Sequence, residues 1–187
     1  MNSEHQPVLL EEAIEALMIS ADGAYVDGTF GRGGHSARIL DALSPRGTLL
    51  ALDRDPDAEE VAASLSSRDS RFSFRAANFS RLGDFFKEGT LHGILLDLGV
   101  SSPQLNDPLR GFSFSLDGPL DMRMDPSQGQ RAADWIAQET EDGIARVLKE
   151  LGEERFARKI ASAIVREREL KPIVTTRHLA DLIASAN

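Results

Sequence analysis

A short apolar run that breaks into glycines constrains this chain more than any other stretch. Tyr25-Val26-Asp27 leads into Gly28-Thr29-Phe30-Gly31-Arg32-Gly33-Gly34-His35, with four glycines in seven residues, and then into Ile39, Leu40 and Leu43 at helical spacing. The order is strand, glycine turn, helix. Glycine takes positive φ without a steric penalty and lets backbone approach a ligand closely. A helix start adds unpaired N–H groups and a positive dipole end. A tight turn with no ligand is the plain alternative, but four glycines beside Asp27 and His35 exceed what a turn requires.

The pattern then repeats in outline. Thr48-Leu49-Leu50-Ala51-Leu52 is a continuous apolar run, as in a strand covered on both faces, and it ends at Asp53. A helix is expected over Asp57 to Leu65, a strand over Phe72 to Ala76, a short helix over Leu82 to Phe86, and a fourth strand over Gly93 to Leu96 ending at Asp97. Strands alternating with helices roughly every 20–25 residues predict a parallel, doubly wound sheet. Before the first strand, Val8 to Met18 reads as an amphipathic helix through Leu10, Ile14, Leu17 and Met18.

From Gly99 to Pro126 the alternation stops. Pro103, Pro108, Pro119 and Pro126 interrupt a stretch with no periodicity, too long for an ordinary connection and therefore of the kind that carries function. Three helical patterns follow, over Thr140 to Leu151, Glu154 to Arg168, and from a cap at Thr176 through Leu179, Leu182 and Ile183. Pro172 stops the middle one. The expected division is therefore residues 1–105, α/β, and residues 106–187, a loop plus helices.

Composition narrows the class. With 187 residues, 41% hydrophobic and 27% charged, the chain suits a soluble globular protein. No apolar run approaches the ~18 residues of a membrane span, and Met1 to Pro7 has no signal-peptide core. The absence of cysteine excludes disulfides, thiolate metal sites and a cysteine nucleophile, which fits a cytoplasmic setting, and no metal site is predicted. A net charge of -9 argues mildly against nucleic acid as a partner. The charge is uneven, however: eight basic and five acidic residues alternate between Arg146 and Lys171. A solvated helix face is the plain reading there, and a local basic surface the other.

The strand ends form a series. Asp53 lies about 20 residues beyond the glycine loop, the spacing at which an acid binds ribose hydroxyls in nucleotide folds. Phe79 follows strand three and could stack on a purine, and Asp97 ends strand four. Each has a plain role as well: Asp53 as a helix cap, Phe79 as core, Asp97 as a strand end. Ligands in such sheets bind outside the carboxyl ends of the strands, so the series can converge. The loop contains neither G-x-G-x-x-G nor G-x-x-x-x-G-K-[ST]. Asp27 would repel a pyrophosphate but suits an amino group. S-adenosylmethionine fits, with its ribose for Asp53, adenine for Phe79 and amino group for Asp27, which points to a class I methyltransferase.

The resemblance then becomes specific. Val26 to His35, Asp53-Arg54-Asp55, Asp97-Leu98-Gly99-Val100-Ser101-Ser102-Pro103-Gln104-Leu105, Arg110-Gly111-Phe112-Ser113-Phe114 and Pro119-Leu120-Asp121-Met122-Arg123-Met124-Asp125 resemble the bacterial 16S ribosomal RNA cytosine-N4 methyltransferases of the RsmH or MraW family. Gly152-Glu153-Glu154-Arg155-Phe156-Ala157 resembles that family's helical insert. The resemblance implies a class I, Rossmann-like sheet with an all-helical inserted domain, incomplete here, and with the later strands of a seven-stranded sheet absent from this chain. It implies cofactor contacts at Gly33, Gly34, His35, Asp53, Phe79, Asp97 and Gln104. It also implies a cytosine of 16S ribosomal RNA in the small subunit as substrate.

A cytosine amine is a poor nucleophile because its lone pair is delocalised into the ring. Many amino-methyltransferases place an Asp/Asn-Pro-Pro-aromatic tetrad after strand four to accept its N–H; this chain has Asp97-Leu98-Gly99-Val100. Asp97 is the expected catalytic acceptor, and Arg110, Arg123 and Arg131 are expected RNA contacts, against internal salt bridges as the alternative. Two other functions compete. One is a non-catalytic S-adenosylmethionine or RNA binding module. The other is a nicotinamide dehydrogenase, which the glycine spacing and Asp27 oppose. The oligomeric state is open, with a homodimer one allowed assembly.

Overall fold

The computed structural model describes residues 9–17 and 20–186. Contacts divide the chain into two compact units, Met1–Gly99 and Val100–Asn187.

The first unit is built on four parallel strands, β1 (Ala24–Asp27), β2 (Thr48–Asp53), β3 (Phe72–Ala76) and β4 (Gly93–Leu95), in the order β3-β2-β1-β4. The order reverses between β1 and β4, which is where ligands enter open α/β sheets. In register, Tyr25 stands beside Leu49 on one side and Gly93 on the other. The two inner strands show why they read as unbroken apolar runs. Tyr25, Leu49 and Ala51 face one core, while Val26, Leu50 and Leu52 face the other. β3 and β4 are outer strands, and Ile94 of β4 is half exposed.

Helices α1 (Leu10–Leu17), α2 (Gly34–Ala42) and α3 (Asp57–Ser66) contribute to the first core through Ile14, Ile39, Leu40, Ala58 and Ala62. The phenyl ring of Phe30, in the glycine loop, lies 5.6 Å from both Phe72 and Phe74 and anchors the loop to β3. The opposite face is covered by Leu82, Phe85, Phe86 and Leu91. The short helix expected at Leu82 is a 3-10 turn that starts earlier, at Phe79–Asp84, because the Asn78 side chain accepts from Ser80 N at 2.9 Å and caps it there. Of the expected first helix, Val8 and Met18 lie outside the described residues.

The second unit is helical: α4 (Ser102–Asn106), α5 (Ala132–Gln138), α6 (Glu141–Glu150), α7 (Ala157–Leu170) and α8 (Thr176–Ala186). Ile136, Ile144, Ile160, Ala161, Ile164 and Ile173 form its core with Leu120. Thr140 caps α6 by accepting from Gly143 N at 3.0 Å. Thr175, and not Thr176, caps α8, accepting from His178 N at 3.2 Å. The Thr176 hydroxyl instead holds the preceding loop, donating to Leu116 O at 3.1 Å and accepting from Gly118 N. The stretch after Gly99 is more ordered than its sequence suggests. Ser101 and Gln104 form a reciprocal cap on α4, and Gly111 turns the chain at φ +74°.

Candidate active site

The strand ends of the first unit are joined by a short chain of hydrogen bonds. Asp27, at the end of β1, is fully buried. Its Oδ2 accepts from the Ser36 hydroxyl at 2.7 Å and its Oδ1 from Thr29 N at 3.1 Å. Burial raises its carboxyl above the usual carboxylate range, against the lowering effect of the Ser36 and Thr29 bonds and of His35. Fully buried, with each oxygen held by one of these donors, Asp27 frames the loop from behind.

Asp53, at the end of β2, is presented differently. Its Oδ2 accepts from Gly31 N at 2.8 Å and its Oδ1 from Asp55 N at 2.9 Å. An ionised carboxylate has about four lone-pair positions, so two bonds fix its orientation and leave acceptor capacity on both oxygens. The helix-cap alternative falls to Asp55, whose Oδ1 accepts from Asp57 N at 3.1 Å. The glycine loop reaches Asp53 because Gly31 and Gly33 take positive φ, +54° and +78°. A side chain at Gly33 would also strike the Phe30 ring at 2.9 Å.

Gly33 ends the loop and α2 begins at Gly34 without a side-chain cap. His35 is buried in the first turn, and its Nδ1 lies 3.8 Å from Oδ2 of Asp97. The Asp97 side chain is 57% exposed, whereas its backbone N–H donates to the Thr29 hydroxyl at 2.7 Å. Phe79 keeps 39% of its surface open. Its Cβ lies so close over Gly28 that an added methyl there would approach it to 3.1 Å. The structure thus brings Asp27, Gly33, Gly34, His35, Asp53, Phe79 and Asp97 to one edge of one sheet. Thr29 and Ser36 belong to the same frame. No spacing rule singles them out, since a hydroxyl inside a glycine loop carries no signature of its own.

The remaining expected residues belong to the second unit. Gln104 is buried; its Oε1 accepts from Ser101 N at 2.8 Å, and its Nε2 lies 3.3 Å from Sδ of Met124. Arg110 is buried and donates to Met124 O at 2.8 Å. Arg123 forms a two-point pair with Asp121 at 2.7 and 2.8 Å, and this holds the Asp121 carboxyl below its usual range. Arg131 forms a similar pair with Asp134 at 2.8 and 2.9 Å, with its side chain 53% exposed. The salt-bridge alternative thus describes Arg123, with Asp121, and Arg131, with Asp134.

A family model for the MraW methylase family matches residues 2–187. The chain is 59% identical over 186 residues to the ribosomal RNA small subunit methyltransferase H of Thioalkalivibrio sulfidiphilus, covering 97% of this chain and 59% of that protein. It is 55% identical over 187 residues to the protein of the same name from Chromohalobacter salexigens, covering 98% of this chain and 56% of that protein. The chain therefore spans less than two thirds of the length of these relatives. A glycine loop buttressed by Asp27, an oriented acid at the end of β2 and near-complete coverage by the family model agree, and the chain belongs to the MraW methylase family.

Proposed function

We propose that the strand-end surface binds S-adenosylmethionine, and that the whole protein uses it to methylate the exocyclic N4 amine of a cytosine in 16S ribosomal RNA of the small subunit. The observation that carries this reading is the double anchoring of Asp53 by Gly31 N and Asp55 N, a fixed acceptor pair of the kind a ribose diol requires. The residues fit the cofactor's other groups as well. The uncapped start of α2 at Gly34 and His35 offers N–H donors to a carboxylate. The open face of Phe79 suits an adenine, and the exposed carboxylate of Asp97 suits a positive charge or an amine. Gln104 is assigned to the cofactor on the family resemblance. The relatives' printed name supports ribosomal RNA of the small subunit as the substrate.

When bound, the cofactor supplies an electrophilic methyl group. The chain's own part is positioning. Asp97 accepts an N–H of the target amine, a charge-assisted bond that aims the nitrogen lone pair, and Thr29 and His35 hold Asp97 in place. Most of the rate derives from that alignment. The target base must leave its stack to reach the site. Arg110, Arg123 and Arg131 are proposed to serve RNA recognition, Arg110 and Arg123 by ordering the loop they brace and Arg131 by direct contact.

The test is incubation of this chain, and of the protein at the full length of its relatives, with 16S ribosomal RNA and methyl-labelled S-adenosylmethionine, followed by nucleoside analysis. Label in N4-methylcytidine is expected. Label in another nucleoside contradicts the reaction, and cofactor binding with no transfer, even by a longer chain, is the outcome of a binding module.

A further inference from the structure

The connection between α6 and α7 carries a surface that the strand-end site does not use. An open groove of about 740 Å³ lies there. Arg146 and Lys149 of α6, Arg155 and Phe156 of the connection, and Arg158 and Lys159 of α7 line it, all exposed. With Asp142 and Glu150 the lining holds five cations against two anions, on a chain whose net charge is -9.

Among the described residues, Arg158 alone of these five cations has a carboxylate within ion-pair distance. Charges on a solvated helix ordinarily pair at i,i+4. Here Arg146 and Glu150 have that spacing, as do Glu154 and Arg158, and neither pair forms an ion pair among the described residues. Glu154 instead accepts from Phe156 N at 2.8 Å. Arg158 reaches Asp142 at 3.6 Å, but both side chains are about nine-tenths exposed, where such a pair is worth little. The Arg155 guanidinium lies 5.9 Å from the centre of the Phe156 ring, which remains 46% exposed.

A row of exposed cations, four of the five without an ion pair among the described residues, beside an open aromatic ring matches a polyanion that repeats its charge along a strand and offers base faces for stacking. We propose that this groove docks the phosphate backbone of the RNA, apart from the base being modified. The proposal rests on RNA being the substrate class. An isolated small anion would use one or two of these cations and would leave the ring without a role.

The experiment is fluorescence anisotropy with a labelled single-stranded RNA across a series of salt concentrations. It compares wild type, the groove pair Lys149→Gln/Lys159→Gln, Phe156→Ala, and a control pair of equal charge change in the first unit, Arg68→Gln/Lys87→Gln. The groove pair is expected to weaken binding about tenfold at ~0.1 M salt and to lower the salt slope by about 0.7 per lost phosphate contact. Phe156→Ala should weaken binding without changing the slope, and the control pair should behave as wild type. No RNA binding by wild type, equal losses in groove and control pairs, or displacement of the RNA by polyglutamate at matched charge would overturn the proposal. Titration of the same variants with S-adenosylmethionine separates the two claims. Intact cofactor binding with groove-independent RNA binding sinks the docking surface alone. Groove-dependent RNA binding without cofactor binding sinks the methyltransferase reading alone.

Discussion

The hydroxyl of Thr29 accepts a hydrogen bond from the backbone N–H of Asp97 at 2.7 Å, tying the glycine loop after β1 to the end of β4. These are the two strands between which the sheet order reverses. Thr29 N also donates to Asp27. One threonine therefore couples a buried acid to an exposed one and sets the backbone from which the Asp97 carboxylate projects.

Thr29→Val removes that acceptor while keeping the shape. It should cost about 0.5–1.5 kcal/mol of stability, as for loss of one ordinary hydrogen bond, and lower methyl transfer more than cofactor affinity. Thr29→Ser should restore both. Urea denaturation with parallel cofactor titration measures this, and a Ser variant as impaired as Val would contradict the role.

Asp27 separates a packing effect from a titration effect. Asp27→Ala leaves the Ser36 hydroxyl and Thr29 N without their acceptor and should cost about 1–3 kcal/mol. Asp27→Asn keeps an acceptor for Thr29 and a donor for Ser36 and should be milder.

The pH dependence follows from the same burial. Folding raises the Asp27 carboxyl above its unfolded value of about 3.9. Between those two values the folded state binds more protons, so its contribution is fully present at lower pH and is lost as pH rises through the folded value. The stability of wild type relative to Asp27→Asn should therefore fall across that window and be flat on either side. A difference independent of pH, measured from denaturation midpoints, would contradict the raised carboxyl.

Gly111→Ala tests the order of the loop in the second unit. At φ +74° an added Cβ would lie 2.4 Å from Pro119 O and 2.6 Å from Asp121 N, both backbone atoms that cannot swing away. A loss above ~2 kcal/mol is expected, and a thermal midpoint equal to wild type would show that the loop is not held as described.

Much of this was legible in the sequence, for reasons that differ by element. β1 and β2 announce themselves because strands covered on both faces must be apolar throughout, and Asp53 stands out because it closes the second of these runs, about 20 residues beyond the glycine loop. α7 starts three residues later than its apolar pattern suggests, after a turn in which Glu154 accepts from Phe156 N, and α8 starts at Thr176 because Thr175 holds the flanking N–H. For Asp27, sequence reports a charge beside a loop but not which way it faces. Here the hydroxyl of Ser36, nine residues on, draws it inward. The order after Gly99 was hidden because it is set by side chain to backbone bonds, such as Arg110 to Met124 O, that have no period.

The central claim is that the carboxylate anchored by Gly31 N and Asp55 N holds the cofactor's ribose. Calorimetric titration of wild type and Asp53→Ala with S-adenosylmethionine tests it most directly. Clear binding by wild type and a loss of about 1.5–3 kcal/mol in the variant, roughly tenfold to more than a hundredfold in affinity, is the predicted result. Undiminished affinity in a folded Asp53→Ala chain would contradict it.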